Sequence, residues 1–352
     1  MTLLESYIDL FGNVRRPVPL EDIPCHEISD SARLCKNPVV SVRMATYNHE
    51  KWIAQAIEGV VNQQTDFEYE LVIGEDCSID RTRDICLEYQ KRFPDKIRVL
   101  WSESNVRDIG GGNTGRLTYR CRGEFLATCE GDDFWIDPCK LQKQVDLVRK
   151  KHVDVCVAFH EVLFPDGHRA VEKFGIPKNG MLTYSDIKRH YFHTTTYLVR
   201  KSLWMDVMKS NPRMVGWYDT ILFQCFAKRG KIALLPEIVS VYRRTGYGIM
   251  TSLSLQQTWM FGVKQGLSTL LFVPEFPRKD AAELVLSRIV HLVQPSVEGG
   301  FSEFQFAHGQ AFNSLFWQMC CIVFPRPRFY YSIVKALPSL VRLMKMCRSK
   351  FQ

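Results

Sequence analysis

Glu130-Gly131-Asp132-Asp133 follows an apolar run from Phe125 to Cys129 and precedes Phe134-Trp135, so an acidic cluster falls at the C-terminal end of an expected strand. Adjacent carboxylates repel each other, and such a cluster is usually neutralised by a cation; oxygen ligands of this kind suit Mg²⁺ or Mn²⁺. A metal held there could carry a phosphorylated substrate. The plainer alternative is that Asp132 and Asp133 open the next helix, because Asp is a good N-cap and a helical pattern follows Asp137-Pro138.

Two further polar turns fall in equivalent places. Val39 to Thr46 is a β-rich run that ends in Thr46-Tyr47-Asn48, after which Ile53, Ile57, Val60 and Val61 recur at helical spacing. Tyr69 to Gly74 reads as a second strand ending in the acidic turn Glu75-Asp76, and the helix after it carries Thr82, Ile85, Cys86, Tyr89 and Phe93 on one face. Ile97 to Trp101 is a third short strand, and a short helix ending near Cys121 leads into the strand before the acidic cluster. Strands alternating with helices imply a parallel sheet with right-handed crossovers, and such a sheet binds ligands at the C-terminal edges of its strands. The three turns can therefore face one ligand. A nucleotide fits that crevice: a carboxylate such as Asp76 can accept from a base ring N–H, a second can bond ribose hydroxyls, and a third can bind a diphosphate through a metal. Gly110-Gly111-Gly112 lacks the dinucleotide-binding spacing and reads as a loop.

Taken in order, Pro38-Val39-Val40-Ser41-Val42 with Thr46-Tyr47-Asn48, Gly74-Glu75-Asp76-Cys77-Ser78-Ile79-Asp80-Arg81-Thr82, Gly123-Glu124-Phe125, Glu130-Gly131-Asp132-Asp133-Phe134-Trp135, Asp137-Pro138 and Lys140-Leu141-Gln142-Lys143-Gln144 resemble the nucleotide-binding half of a family 2 glycosyltransferase. The resemblance is strong over residues 38–150 and weak over 150–250. It implies an α/β fold of the GT-A type, a three-layer sandwich with a mostly parallel central sheet. It also implies an enzyme that moves a sugar from a nucleotide-diphosphate donor, a UDP-sugar by preference, to a saccharide or lipid-linked acceptor with inversion at the anomeric carbon. Bacterial cell-surface polysaccharide synthesis is the commonest setting for such enzymes. Carried over residue by residue, the resemblance implies that Thr46 and Tyr47, with Asn48 and Glu75, line the donor pocket. Asp76 would bind the base, Asp132 would contact ribose or metal, and Asp133 would ligate Mn²⁺ or Mg²⁺ on the diphosphate.

An inverting displacement needs a base for the proton of the acceptor hydroxyl. The resemblance puts it at Asp219, in Gly216-Trp217-Tyr218-Asp219-Thr220 ahead of the apolar helical positions Ile221, Leu222, Cys225 and Phe226. On its own, Asp219 would equally serve as a helix N-cap. Downstream, Tyr242-Arg243-Arg244-Thr245 departs from the family pattern, because Thr245 stands where relatives carry a His that helps at the metal or phosphate. Arg243 or Arg244 could still clamp the diphosphate through bidentate bonds, or form a solvated basic turn. Glu130 is either the first member of an acid-x-acid pattern or a partner of Arg120 or Arg122. His193 either touches the acceptor or is structural.

The chain has 352 residues, 46% hydrophobic and 24% charged, enough for one large α/β domain with an appended segment or for two domains, and unlike a mainly disordered chain. The expected organisation is an N-terminal extension over 1–37, irregular and punctuated by Pro17, Pro19 and Pro24, then a glycosyltransferase domain over 38–255 and a helical region over 256–352. The domain would divide into a nucleotide-binding half, 38–150, and an acceptor half, 151–255. The net charge of +8 is spread along the chain without a Lys/Arg run, which argues against nucleic acid and for anionic phosphosugars or an anionic membrane surface. Twelve cysteines without a C-x-x-C pair, among them Cys77, Cys86, Cys121, Cys129 and Cys156 in or beside core elements, read as reduced thiols and point to the cytoplasm. The first residues lack a basic start and a long apolar run, so neither secretion nor a spanning helix is expected. Near the C-terminus, Ile333, Leu337, Leu340, Val341, Leu343 and Met344 interleave with Lys335, Arg342, Lys345, Arg348 and Lys350. That segment could lie peripherally on the inner face of the plasma membrane, or pack on the catalytic domain, since Pro338 interrupts its pattern. Two rivals stand beside the transferase reading. A sugar nucleotidyltransferase would want a glycine-rich signature that Met44 to His49 lacks. A catalytically silent nucleotide-sugar binding or scaffold protein would accommodate Thr245.

Overall fold

The computed structural model describes residues 2–292 apart from 12–17, 107–108, 110, 172–174, 178, 212–218, 247–254 and 275, together with 315, 318, 319 and 322. The chain divides into two compact units, one of residues 16–212 and 216–246 and one of residues 1–15, 213–215 and 247–352. Numbered along the chain, the strands are β1 (His26–Ile28), β2 (Val40–Thr46), β3 (Tyr69–Glu75), β4 (Ile97–Trp101), β5 (Phe125–Thr128), β6 (Phe134–Trp135), β7 (Val155–Leu163), β8 (Arg169–Val171), β9 (Met181–Leu182), β10 (Leu198–Arg200) and β11 (Ile232–Arg243). The helices are α1 (Leu3–Phe11), α2 (Ile53–Val61), α3 (Thr82–Arg92), α4 (Gly112–Arg120), α5 (Lys140–Lys151), α6 (Tyr184–Arg189), α7 (Lys201–Ser210), α8 (Asp219–Arg229), α9 (Leu255–Phe272) and α10 (Arg278–Leu292).

All the strands join one sheet in the larger unit, in the order β1-β4-β3-β2-β5-β10-β7-β11-β6, with β8 on β7 and β9 on β11. β4, β3, β2 and β5 run parallel, as do β7 and β11, and antiparallel β10 joins the two groups. The expected mixed α/β sheet, with its main run of strands parallel, is therefore present. Val40, Val42 and Met44 alternate onto one face of β2, where Ile53, Ile57 and Val60 of α2 cover them, all fully buried. A period of two on the strand meets a period near 3.6 on the helix, and each element hides the other's apolar side.

The N-terminal end of this sheet is closed by a polar network. Glu70, fully buried, accepts from Ser41 Oγ (2.5 Å), the Arg122 N–H (2.8 Å), Arg122 Nε (2.8 Å) and Arg98 Nη1 (3.2 Å). Arg98 also forks onto Glu27 (2.8 Å to each oxygen), which ties β1 to the sheet edge. Residues 1–37 are accordingly less irregular than the sequence implied. β1 pairs antiparallel with β4, and α1 buries Tyr7 and Leu10, three residues apart. Three residues of strand leave no periodicity to read, and the ion pair that fixes β1 spans distant positions. In the smaller unit Tyr7 meets Phe272 of α9 edge-on, with ring centres 6.0 Å apart. Among the described residues no helix is long and apolar enough to cross a membrane, and the basic segment 330–350 lies outside them. Cys86, Cys121, Cys129 and Cys156 are buried free thiols, and Cys77 is a half-buried one.

Candidate functional site

β2 and β3 end in register, Thr46 opposite Glu75, and the loops beyond them are laced together. The Asn48 N–H donates to Ser78 Oγ (3.0 Å) and its Oδ1 accepts from the Ile79 N–H (2.9 Å). The His49 N–H donates to Thr82 Oγ1 (2.7 Å) and the Glu50 N–H to Asp80 (3.1 Å). Asn48 sits at φ 56°, a left-handed backbone that asparagine tolerates better than most residues. Glu75 is fully buried and binds the Ser78 N–H (2.5 Å) and Arg83 Nε (2.6 Å), so both its oxygens hold the loop. Asp76 is buried and accepts from the Val106 N–H (2.8 Å). Tyr47 is exposed at the mouth.

The acidic turn closes on these loops through the Gly131 N–H, which donates to the Ala45 carbonyl (2.9 Å). A Cβ on Gly131 would stand 2.6 Å from Thr46 Oγ1 and 2.8 Å from His49 Nδ1, so only glycine permits this approach. Both of those atoms are buried without a hydrogen-bond partner. Buried polar atoms are nearly always bonded, and these two are exceptions. Asp132 and Asp133 do not open a helix, because α5 begins at Lys140 and Asp137 is the carboxylate that accepts ahead of it, from the Cys139 N–H (2.9 Å).

Asp133 Oδ1 accepts from the Arg243 N–H (2.8 Å), and its Oδ2 lies 3.8 Å from His193 Nδ1. Asp132 Oδ2 lies 3.9 Å from His49 Nε2. His193 stacks on Tyr242, ring centres 4.2 Å apart; burial and nearby His160 push it down to about 3, leaving a neutral imidazole. Burial and the charge of Asp132 push the Asp133 carboxyl well up. A bound cation would relieve that strain. The carboxylate oxygens of Asp132 and Asp133 are the kind that suits a hard divalent ion, whose other ligands would be diphosphate oxygens and water, while His193 Nδ1 is engaged by Thr195 (3.4 Å from its N–H and 3.1 Å from its Oγ1). Among the described residues no three His, Cys, Asp or Glu side chains form a group that could hold a metal ion.

Arg243 is taken up by the turn itself, with Nη1 on the Asp132 carbonyl (3.1 Å) and Nη2 on Gln55 Oε1 (2.6 Å). Arg244 is exposed, its guanidinium bonded to the Tyr242 side chain and lying 5.3 Å from the centre of the Phe164 ring. Asp219 is the first residue of α8 and is open to solvent. Protein nonetheless surrounds it closely enough that lost hydration raises its carboxyl to about 6, against the opposing pull of Arg43. Residues 216–218 lie outside the described residues. Of the two readings of Glu130, the pairing with Arg120 or Arg122 does not occur among the described residues: Arg122 binds Glu70, and Arg120 offers its carbonyl to Arg98. Burial raises Glu130 to about 8, with Arg43 again opposing. Gln55, His49 and Arg43 were not singled out in the sequence. The signal for Arg43 was a lone cation inside an otherwise β-rich run.

The Glycosyl transferase family 2 model matches residues 41–207. A protein of Mycobacterium tuberculosis is 33% identical over 216 residues, 60% of this chain and 61% of that protein. The Escherichia coli UDP-Glc:α-D-GlcNAc-diphosphoundecaprenol β-1,3-glucosyltransferase WfgD is 30% identical over 152 residues, 43% of this chain and 56% of that one. The chain thus matches about three fifths of these relatives' length. Among solved structures, residues 1–349 of Staphylococcus aureus TarS with UDP-GlcNAc share the fold at TM-score 0.57 and 19% identity, covering 88% of this chain and 92% of that one.

Proposed function

Since residues 41–207 form a glycosyltransferase family 2 domain on a GT-A fold, we propose that this protein is an inverting glycosyltransferase that uses a UDP-sugar to extend a saccharide or lipid-linked saccharide in cell-surface polysaccharide synthesis. One observation carries the reading: β2, β3 and β5 are adjacent parallel strands, so Thr46, Asp76 and the Asp132-Asp133 turn follow their C-terminal ends at one edge of the sheet. The UDP preference and the lipid-linked acceptor draw support from the activity that WfgD is named for.

In this reading Tyr47 and Asp76 receive the base, Thr46 and Asn48 shape the pocket, and Asp132 takes the ribose or shares the metal. Asp133 holds Mn²⁺ or Mg²⁺, which as a Lewis acid would stabilise the charge developing on the departing diphosphate. His193 brings beside Asp133 an imidazole that Thr245 does not supply. Arg243 keeps the acidic turn in place, while exposed Arg244 would meet phosphate oxygens. Glu75 acts through the loop that it fastens. As the acceptor oxygen attacks the anomeric carbon, Asp219 takes its proton, the bond from that carbon to the diphosphate oxygen breaks, and its electron pair leaves with the nucleoside diphosphate. Residues 38–150 would serve the donor and 151–255 the acceptor, on the cytoplasmic side of the membrane.

Calorimetry with UDP and GDP, with Mn²⁺ and then with chelator, on the wild type and on Asp133→Asn, tests the donor site. Metal-dependent UDP binding lost in the variant is expected. No binding of either nucleotide would overturn the reading.

A further inference from the structure

Ahead of β10 the chain turns one large aromatic ring outward and hides the two residues after it. Tyr191 is 46% exposed, whereas Phe192 and His193 are 3% and 6% exposed. Single exposed apolar side chains are ordinary, so exposure by itself assigns nothing to Tyr191. What sets it apart is how firmly the neighbouring chain is held. The Phe192 carbonyl accepts from the buried Tyr197 hydroxyl (2.9 Å), and the Phe192 ring packs against Phe223 of α8, with centres 5.4 Å apart. The His193 carbonyl accepts from the Thr196 N–H (3.0 Å) and from Thr196 Oγ1 (2.8 Å). The Thr195 carbonyl accepts from the Trp135 indole N–H (3.0 Å), and the Thr196 carbonyl accepts from Gln144 Nε2 (2.7 Å). Thr195 Oγ1 meets Ser240 Oγ at 2.8 Å. Strands β6 and β11 and helices α5 and α8 thus all hold residues 192–196, and the ring beside them is carried on a fixed support.

The ring also belongs to an aromatic cluster that reaches the acidic turn. Centre to centre, Tyr191 lies 6.0 Å from His193 and 6.3 Å from His160 of β7, at 70° and 79°, so neither imidazole stacks on its face. His193 and His160 are 5.4 Å apart, and His193 stacks on half-buried Tyr242 of β11. At the other side of the cluster, Asp133 Oδ2 lies 3.8 Å from His193 Nδ1. One imidazole therefore connects Tyr191 to the carboxylate that the donor diphosphate is proposed to meet. The sheet order places β7 and β11 on one side of β5, and β2 and β3, which carry Thr46 and Asp76 at their ends, on the other. A group stacked on Tyr191 would sit near the reacting end of the donor and away from its base.

We propose that Tyr191 is the platform of an acceptor subsite, on which a pyranose ring of the acceptor saccharide stacks beside Asp133. The proposal rests on the reading of the Asp132-Asp133 turn as the donor-diphosphate site. A pyranose carries hydroxyls around its rim and an apolar patch of C–H groups on its face. Tyrosine suits both, since its ring covers the C–H patch while its hydroxyl stays with water and the sugar hydroxyls. An inverting displacement needs the acceptor oxygen to approach the anomeric carbon from the side opposite the diphosphate. The acceptor ring must then be oriented by groups other than those that bind the nucleotide.

The test is saturation-transfer difference NMR with the methyl glycosides of glucose, galactose, mannose and N-acetylglucosamine, recorded with UDP and Mg²⁺ present. At least one glycoside should show saturation strongest on the C–H groups of one ring face. Tyr191→Ala should weaken its binding about five- to tenfold, as expected for one aromatic stacking contact. The same variant should bind UDP, UDP-glucose and UDP-N-acetylglucosamine as the wild type does, measured by calorimetry. Tyr191→Phe should bind the glycoside within about twofold of wild type, because it keeps the ring. Tyr119→Ala, which removes an exposed tyrosine on α4, should bind it as wild type. Equal binding by wild type and Tyr191→Ala, a loss shared by Tyr119→Ala, or no saturation of any glycoside overturns the proposal. A loss of affinity for either UDP-sugar with UDP binding unchanged also overturns it, because the ring would then lie against the donor sugar. If the wild type binds neither UDP nor GDP, the donor-site reading fails instead, and the glycoside comparison without nucleotide still reports whether Tyr191 holds a sugar.

Discussion

Replacing Asp219 by Asn and following the rate with pH tests the chemistry most directly. The carboxyl is raised to about 6 from its ordinary 3.8 because the surrounding protein strips it of water. A base with that value is about 90% ionised at pH 7 and about 10% at pH 5. If it takes the acceptor proton, kcat/KM is near its plateau at pH 7, halves close to pH 6, and drops about tenfold for each further unit of acid. The sign follows from the raised value: activity is present above the folded pKa and lost as pH falls through it. A carboxylate with an ordinary value would hold the plateau down to about pH 4.5. General base catalysis typically contributes about 10²- to 10⁴-fold, or roughly 3 to 5 kcal/mol of barrier, and Asp219→Asn should lose that much. The assay is release of UDP from a panel of UDP-sugars between pH 4.5 and 8, with UDP affinity measured alongside so that a binding loss is not mistaken for a chemical one. A rate that stays flat from pH 7 to pH 5 while UDP still binds, or a variant within tenfold of wild type, would refute the assignment.

Gly131→Ala should weaken UDP binding at least about tenfold, the loss of roughly 1.4 kcal/mol, because the added methyl group falls 2.6 Å from Thr46 Oγ1. Calorimetry beside an unchanged far-UV spectrum checks it, and wild-type affinity would show that the turn does not meet the ligand there. His193→Ala should reduce Mn²⁺ retention in the presence of UDP, measured by electron paramagnetic resonance; equal retention would assign the imidazole a packing role on Tyr242. Glu70→Ala should cost about 3 kcal/mol or more in urea unfolding, since Arg122 loses its buried partner and Ser41 its acceptor. A loss under about 1 kcal/mol would mean that water replaces the carboxylate there.

The strands of the nucleotide-binding half were legible because each carries a β-rich run several residues long, and its helices because their apolar residues repeat over two or three turns. β1, three residues long, carries no such pattern, and its place in the sheet follows from long-range pairing with β4; β10 falls on the strand-like run Tyr197-Leu198-Val199, but its position between β5 and β7 follows from pairing across the fold. The turns at Thr46, Glu75 and Asp132 were legible for the same local reason, and the structure brings them together. Their detailed division of labour was not, because it depends on bonds across the fold. Glu75 is one case, one oxygen engaged by Ser78 of its own loop and the other by Arg83 of α3, and Arg243 is another, its guanidinium shared between the acidic turn and Gln55. Neither bond leaves a trace in spacing or composition.

A single strand separates the two uses of buried polar groups in this fold. At the N-terminal end of β2, Ser41 donates to Glu70 and accepts from the Gly123 N–H (2.7 Å) and the Arg122 N–H (3.0 Å), a closed network with nothing left to offer. Further along the same strand, Arg43 and Thr46 are as deeply buried and yet keep atoms without partners, as do neighbouring Thr128 and His49. Folding alone does not favour that asymmetry, since each unmade bond costs free energy that an apolar residue would spare. The unpaired atoms lie toward the C-terminal edge, where parallel strands present their loops to a ligand. Local rules of stability are broken mainly where function requires it. The direction from Ser41 to Thr46 therefore runs from the end of the sheet that holds the fold together to the end where the proposed donor site lies.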